Sequence, residues 1–260
     1  MTSQDWYDYP QYYDLAFREE TIPEADFIEA ACKKYAAQPV RRLLEPGCGG
    51  GRLVVELARR GYEMSAFDLN EKMLAYSRQQ LAKRKLHAEV FAGNMADFRL
   101  SRPVDAVFNT YNTFRHLTTE SAAVSHLRCV ANSLRTGGIY VLGFHLLPPD
   151  ADEECIERWS AVTGKTKVVF TLRVLETDRR ERLEQLRVTM RVRGPRFRRD
   201  LKLATEFPLR MYTAAQAKSL FRKVPELELC DVYDFCYEIE HPLKLNNEIS
   251  DTVFILRKKL

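Results

Sequence analysis

Apolar and polar positions along this chain follow three successive regimes, and the elements they predict set its organisation. Between Pro23 and Ala37, Phe27, Ile28, Ala31 and Tyr35 recur at roughly helical spacing, predicting an amphipathic helix. RRLLEP then runs into a glycine cluster, and GRLVVELARRG from Gly51 to Gly61 returns to helical periodicity before a glycine suited to end it. The alternation continues with YEMSAFDLN as a strand, EKMLAYSRQQLAKR as a helix and HAEVFAGN as a third strand. PVDAVFNT, SAAVSHLRCVANSL and GGIYVLGFH add a fourth strand, a helix and a fifth strand. Strands and helices alternating at these lengths build βαβ units on a parallel sheet. The stretch to about residue 145 therefore reads as doubly wound α/β, with ligands expected at the carboxyl ends of the strands.

Past Pro148 the period shortens to two. KTKVVFTLRVLETD, RLEQLRVTMRVRG and KLATEFPLRMY alternate apolar and polar residues with no helix between them, as antiparallel strands with one covered face do. Leu186, Val188, Met190 and Val192 fall on one face of the second, with Arg187, Arg191 and Arg193 on the other. Helical spacing resumes in TAAQAKSLFRKV, for which Thr213 is the expected N-cap. ELELCDVYDFCYEI and DTVFILRKKL then read as two edge strands, antiparallel to the sheet. The expected architecture is a doubly wound seven-stranded sheet with an antiparallel β insertion after the fifth strand. Its boundaries are a core over 1–150, the insertion over 151–211, and a helix and strands over 212–260 completing the sheet.

Composition narrows the function classes. A hydrophobic fraction of 45% and a charged fraction of 29% are those of an ordinary folded protein, and 260 residues can bury a full core. The net charge of +4 is too mild to mark a nucleic-acid binder. Six cysteines without CxxC spacing fit reduced thiols in a cytoplasm rather than a zinc site or disulfide framework, so no metal is expected. The acid- and tyrosine-bearing start lacks the basic and apolar regions of a signal peptide, and no apolar run reaches the ~18 residues of a membrane span. A cytoplasmic protein with no membrane partner is the expectation; the sequence says nothing of oligomeric state.

Candidate chemistry centres on LLEPGCGGGR, from Leu43 to Arg52. A dinucleotide fingerprint needs a third glycine where Arg52 stands, and the GxxxxGK[ST] phosphate loop has no match. Glu45 before the turn would repel a phosphate and attract a cation. S-adenosylmethionine is such a ligand, with a sulfonium and an ammonium and no phosphate. Asp68, 17 residues beyond Gly51 at the end of the second strand, can accept both ribose hydroxyls of an adenosine.

With LLEPGCGGG, FDLNEKML, AGNMADF and DAVFNTYNTFRHL in this order, the chain resembles the class I S-adenosylmethionine-dependent methyltransferases over roughly Tyr12 to Leu146. NTYNTFRHL and PQYYDLAF look like stretches of the small-molecule N-methyltransferases, glycine and amino-sugar enzymes among them. The resemblance implies a Rossmann-like core, S-adenosylmethionine as cofactor with S-adenosylhomocysteine as product, and a β insertion that acts as a substrate lid. It implies that Asp68 holds the ribose, Leu69 and Met73 enclose the adenine, and Asn94 and Met95 meet its edge. Glu45, Gly47, Cys48, Gly49 and Asn109, with Thr110, would surround the methionine part, and Tyr13 (or Tyr12) would cap it. The motif of enzymes that methylate planar amines in bases or glutamine is absent, since this chain reads Asn109-Thr110-Tyr111-Asn112.

His145 ends the fifth strand on the ligand side, where a neutral imidazole can take a proton from a nucleophile; a hydrogen-bonded structural histidine is the competing reading. His145 and Asn112 are the catalytic candidates, with Tyr111, Asn112, Arg115 and His145 as substrate contacts and His116 read as a loop brace. The reaction expected is methyl transfer to a nitrogen or oxygen of a small-molecule acceptor. A noncatalytic S-adenosylmethionine-binding module and a dehydrogenase stay open. So does an RNA methyltransferase using the basic run RVRGPRFRRDLK, Arg191 to Lys202, which otherwise reads as a solvated hairpin end.

Overall fold

A computed structural model describes residues 5–152, 155–195 and 200–260. Five parallel strands come first in the chain: β1 (Arg42–Pro46), β2 (Glu63–Asp68), β3 (Ala88–Ala92), β4 (Val104–Asn109) and β5 (Leu134–His145). The insertion strands are β6 (Ile156–Thr163), β7 (Thr166–Asp178), β8 (Leu183–Arg193) and β9 (Leu201–Arg210). β10 (Leu227–Tyr233) and β11 (Asp251–Lys258) return to the first sheet, whose order is β10-β11-β5-β4-β1-β2-β3. β11 lies antiparallel between β5 and β10, so both strands extend the sheet at that side as their sequences predict, with β10 alone at the edge.

Helices cover both faces, and alternation along each strand assigns the cover. Leu43, Ala106, Phe108, Ile139 and Val141 pack under α2 (Thr21–Tyr35), α3 (Arg52–Arg59) and α4 (Glu71–Lys83). Their sequence neighbours Leu44, Val107, Tyr140 and Leu142 face α5 (Glu120–Ser133) and α6 (Ala214–Arg222). Thr213 caps α6 in a reciprocal capping box with Gln216, and Asn70 caps α4 by accepting from the amides of Lys72 and Met73. β1 neighbours β2 on one side and β4 on the other, so the chain reverses its winding there and opens a crevice at the carboxyl ends.

The insertion is a four-stranded antiparallel sheet, one strand more than the sequence pattern predicts. β6 is the addition. As an edge strand it leaves Ile156 and Val162 61% and 63% exposed, so its apolar residues do not segregate to one face and the period is lost. The buried face of this sheet, with Val168, Phe170, Val188, Met190 and Val192, packs on Trp6 and Leu15 from a 3₁₀ turn (Trp6–Asp8) and α1 (Pro10–Ala16). The N-terminal segment is thereby clamped between insertion and core. Within the basic run, residues 196–199 lie outside the described residues, while Arg191 and Arg193 both bridge to Asp200.

Candidate active site

β1 ends in Glu45-Pro46, and the chain turns through Gly47 at φ +65° and Gly51 at φ +76° before α3 begins. A Cβ on Gly47 would stand 2.6 Å from Thr113 Cγ2, and one on Gly51 2.2 Å from Ser77 Oγ, so glycine is required by both conformation and space. Asp68 accepts from the amide of Gly49 through Oδ2 and from that of Asn70 through Oδ1, each at 2.8 Å. The end of β2 is thus tied to the glycine turn. Each oxygen keeps further lone-pair capacity toward a ligand.

Behind the turn sits a carboxyl group with no ion pair among the described residues. Glu45 is buried, and its Oε2 has no hydrogen-bond partner among the described residues. Burial pushes its pKa well up; Arg52 opposes this, and Glu24 and Asp68 add to it. Arg52 is itself engaged, donating to Glu24 at 2.5 Å, while the Thr110 hydroxyl donates to the other Glu24 oxygen at 2.7 Å. A cation arriving beside Glu45 would relieve that buried carboxyl.

A cavity of about 650 Å³ opens above the carboxyl ends of β1, β2, β4 and β5, roofed by the insertion sheet. Of the residues predicted from sequence, Tyr13, Gly47, Gly49, Asp68, Leu69, Met73, Met95, Tyr111, Asn112, Arg115 and His145 line it. Leu69 is 75% exposed toward it, an apolar surface awaiting a partner. Glu45 and Cys48 lie in a small adjoining pocket that shares Tyr13, Gly47 and Gly49 with the main one.

Two predicted cofactor residues are placed elsewhere. Asn94 folds back so that its Oδ1 accepts from the amide of Ala96 at 2.9 Å, an Asx turn that turns its side chain to its own loop. Asn109, buried at 1% exposure, donates to the Pro46 carbonyl at 2.6 Å and staples β4 to β1 from beneath the cavity floor. Neither lines the cavity or its annex.

At the far end, the antiparallel register of β5 and β11 sets His145 opposite Asp251. His145 Nδ1 lies 2.7 Å from Asp251 Oδ1, and a carboxylate can only accept, so Nδ1–H is the donor in this contact and the lone pair of the neutral form falls on Nε2. Nε2 has no hydrogen bond among the described residues, and both side chains line the cavity. The same bond holds the Asp251 carboxyl below its usual range. Phe235 packs edge-on against the imidazole at 5.0 Å. Asn112, at φ +65°, uses its Oδ1 to accept from the His145 amide at 2.8 Å; it positions the strand end.

Arg115 departs from its predicted role. Its Nε donates to the Arg210 carbonyl at 2.8 Å and its Nη2 pairs with Glu184, both side chains being buried. The guanidinium is committed to joining core and insertion. His116 reaches the Tyr7 hydroxyl at 3.4 Å, and the surrounding protein, with Arg115 nearby, holds its pKa down to about 4. That agrees with a brace.

Comparison with known proteins accounts for this layout. Residues 43–138 match the family described as methyltransferase domain. Over that stretch the chain is similar to methyltransferase domains. A dTDP-3-amino-3,4,6-trideoxy-alpha-D-glucopyranose N,N-dimethyltransferase of Streptomyces venezuelae is 29% identical over 100 residues, 38% of this chain and 40% of that protein. A S-adenosylmethionine-dependent methyltransferase from Clostridium acetobutylicum ATCC 824 has the same fold, with a TM-score of 0.79 at 16% identity over 98% of this chain and 99% of that one. CalS10, an amino pentose methyltransferase from Micromonospora echinaspora solved with S-adenosylmethionine bound, gives a TM-score of 0.72 at 20% identity over 95% and 97%. The fold is the one these two solved methyltransferases share. The chain spans about half the length of the curated relatives it matches.

The protein holds its cavity with residues the sequence pattern does not single out. His126, wholly buried on α5, has Nδ1 2.9 Å from the Met95 carbonyl and Nε2 2.8 Å from the Tyr140 hydroxyl. A carbonyl only accepts, so Nδ1–H donates to Met95 and Tyr140 donates to Nε2, leaving the ring neutral; burial holds its pKa down to about 4. The loop bearing Met95 is fixed in this way. Asp251 and Glu184 were equally silent, because their partners lie 106 and 69 residues away. No period or motif reports such a register.

Proposed function

We propose that this protein transfers a methyl group from S-adenosylmethionine to the nitrogen of a small-molecule amine. The observation that carries the reading is one cavity that runs from the Gly47, Gly49 and Asp68 cradle to the His145–Asp251 pair. The residues of the first end fit the cofactor's chemistry: Asp68 for the ribose, Leu69, Met73 and Met95 around the adenine, and the bare Glu45 oxygen toward the ammonium side, with Tyr13 across the turn. When bound, the sulfonium supplies an already activated methyl group.

The protein's contribution is then alignment and exclusion of water. The strand ends set the floor, and the lid we assign to 151–211 closes the roof with Trp159, Leu172 and Leu186. His145, with its lone pair on Nε2 and its Nδ1 proton held by Asp251, accepts the proton the amine must lose. Nitrogen as the acceptor atom is supported by the similar proteins, two of which are named for methylating amino sugars.

Two measurements test this reading. Titration calorimetry with S-adenosylhomocysteine should give binding, and methyl-labelled S-adenosylmethionine should pass label to amines in a mass-spectrometric assay. Binding without transfer to any nucleophile would leave a noncatalytic module. Thermal stabilisation by NAD and none by S-adenosylmethionine would restore the dehydrogenase reading.

A further inference from the structure

We propose that the acceptor is a phosphate-free aliphatic amine that enters as an ammonium ion, not an amino group carried on a nucleoside diphosphate. The proposal rests on the methyltransferase reading above and names its acceptor. Its ground is the charge of the acceptor end. Glu157 and Asp251 line that end, together with Glu184, whose charge Arg115 balances. Against these carboxylates the described lining offers Arg115, His116 and His145, and each is committed. Arg115 serves Glu184 and the Arg210 carbonyl, His145 serves Asp251, and His116 meets the Tyr7 hydroxyl.

A diphosphate brings at least two negative charges and needs cationic or amide donors in fixed geometry, most often arginine. No uncommitted arginine or lysine lines the described cavity, and the carboxylates would repel such a group. An alkyl ammonium meets the opposite case. With a pKa of ~10, like a lysine side chain, it is cationic at neutral pH and drawn to Glu157 and Asp251. Tyr7, Trp159 and Phe207 add aromatic faces on which a cation and the apolar edges of its carrier can rest.

The same charge sets the chemistry. An ammonium has no lone pair, so one proton must leave before attack. His145 Nε2 takes it, and Asp251 stabilises the imidazolium. The freed nitrogen pair forms the N–C bond while the S–C bonding pair returns to sulfur, leaving a neutral thioether. After transfer the product nitrogen again carries the positive charge beside the carboxylates.

The test compares one amino hexose in two forms, its methyl glycoside and its thymidine diphosphate ester, with kcat/KM for labelled methyl transfer by the full chain. The free glycoside should be preferred tenfold or more, thymidine diphosphate alone should show no binding in calorimetry at micromolar concentrations, and Glu157→Lys should narrow the ratio. Equal or better use of the diphosphate ester, with the ratio unmoved by Glu157→Lys, would overturn the acceptor class while leaving methyl transfer standing. Transfer to neither form nor to any simple amine, despite S-adenosylmethionine binding, would remove the methyl-transfer reading and the acceptor with it.

Discussion

Single side chains at the ends of strands carry most of the site. Asp68 holds the Gly49 amide of the glycine turn and the Asn70 amide at the start of α4, and the ribose role we assign it adds a charged hydrogen-bond pair worth about 1.5–3 kcal/mol. Asp68→Ala should therefore weaken S-adenosylmethionine binding tenfold or more in calorimetry; unchanged affinity would refute the cradle. Asp251 acts through His145, so Asp251→Asn should leave cofactor affinity near wild type and lower kcat by about tenfold or more, with partial recovery in Asp251→Glu. A kcat equal to wild type would make the pair a structural contact. Asp68, Gly47 and His145 were legible because strand-end position and motif spacing are local properties. The Asn109 side chain lines neither pocket because its amide is spent on Pro46, a bond no local pattern announces.

Elements decide how the two sheets meet. Arg115 stands just after β4 and Glu184 on β8, and their buried pair joins the core to the insertion. Removing one partner strands the other charge, so Glu184→Ala should cost about 3–5 kcal/mol in urea unfolding. A loss under 1 kcal/mol would mean that water reaches the guanidinium. The parallel core was readable because its strands are apolar runs between helices of clear period, and alternation on β8 was clean because one face is covered and the other solvated. β6 was hidden by its edge position: Trp159 and Ala161 pack on one face while Ile156 and Val162 stand exposed on the other, so its apolar residues show no period. The roof of the cavity was accordingly the least legible part of the site.

At the scale of the whole molecule, the buried neutral imidazole of His126 couples the loop bearing Met95 to stability. Unfolded, a histidine takes up its proton near 6.5, whereas in the fold burial delays this to about 4. Protonation between those values favours the unfolded chain. The stability His126 contributes is full above pH 6.5 and falls as pH drops toward 4, by about 3 kcal/mol. Urea midpoints measured from pH 7 to pH 4 should decline less steeply in His126→Gln than in the wild type, and equal slopes would place the acid sensitivity elsewhere. Among the described residues no helix is long and apolar enough to cross a membrane.

The central claim is that one cavity brings a methyl donor and an amine together. Its most direct measurement is mass spectrometry of an amine acceptor incubated with the full chain and S-adenosylmethionine bearing a deuterated methyl group. The account predicts a deuterated methyl on the amine nitrogen, S-adenosylhomocysteine in equal amount, and a several-fold fall in the rate of both in Asp68→Ala at donor concentrations below the wild-type Kd. Donor binding with no label on any amine would contradict it.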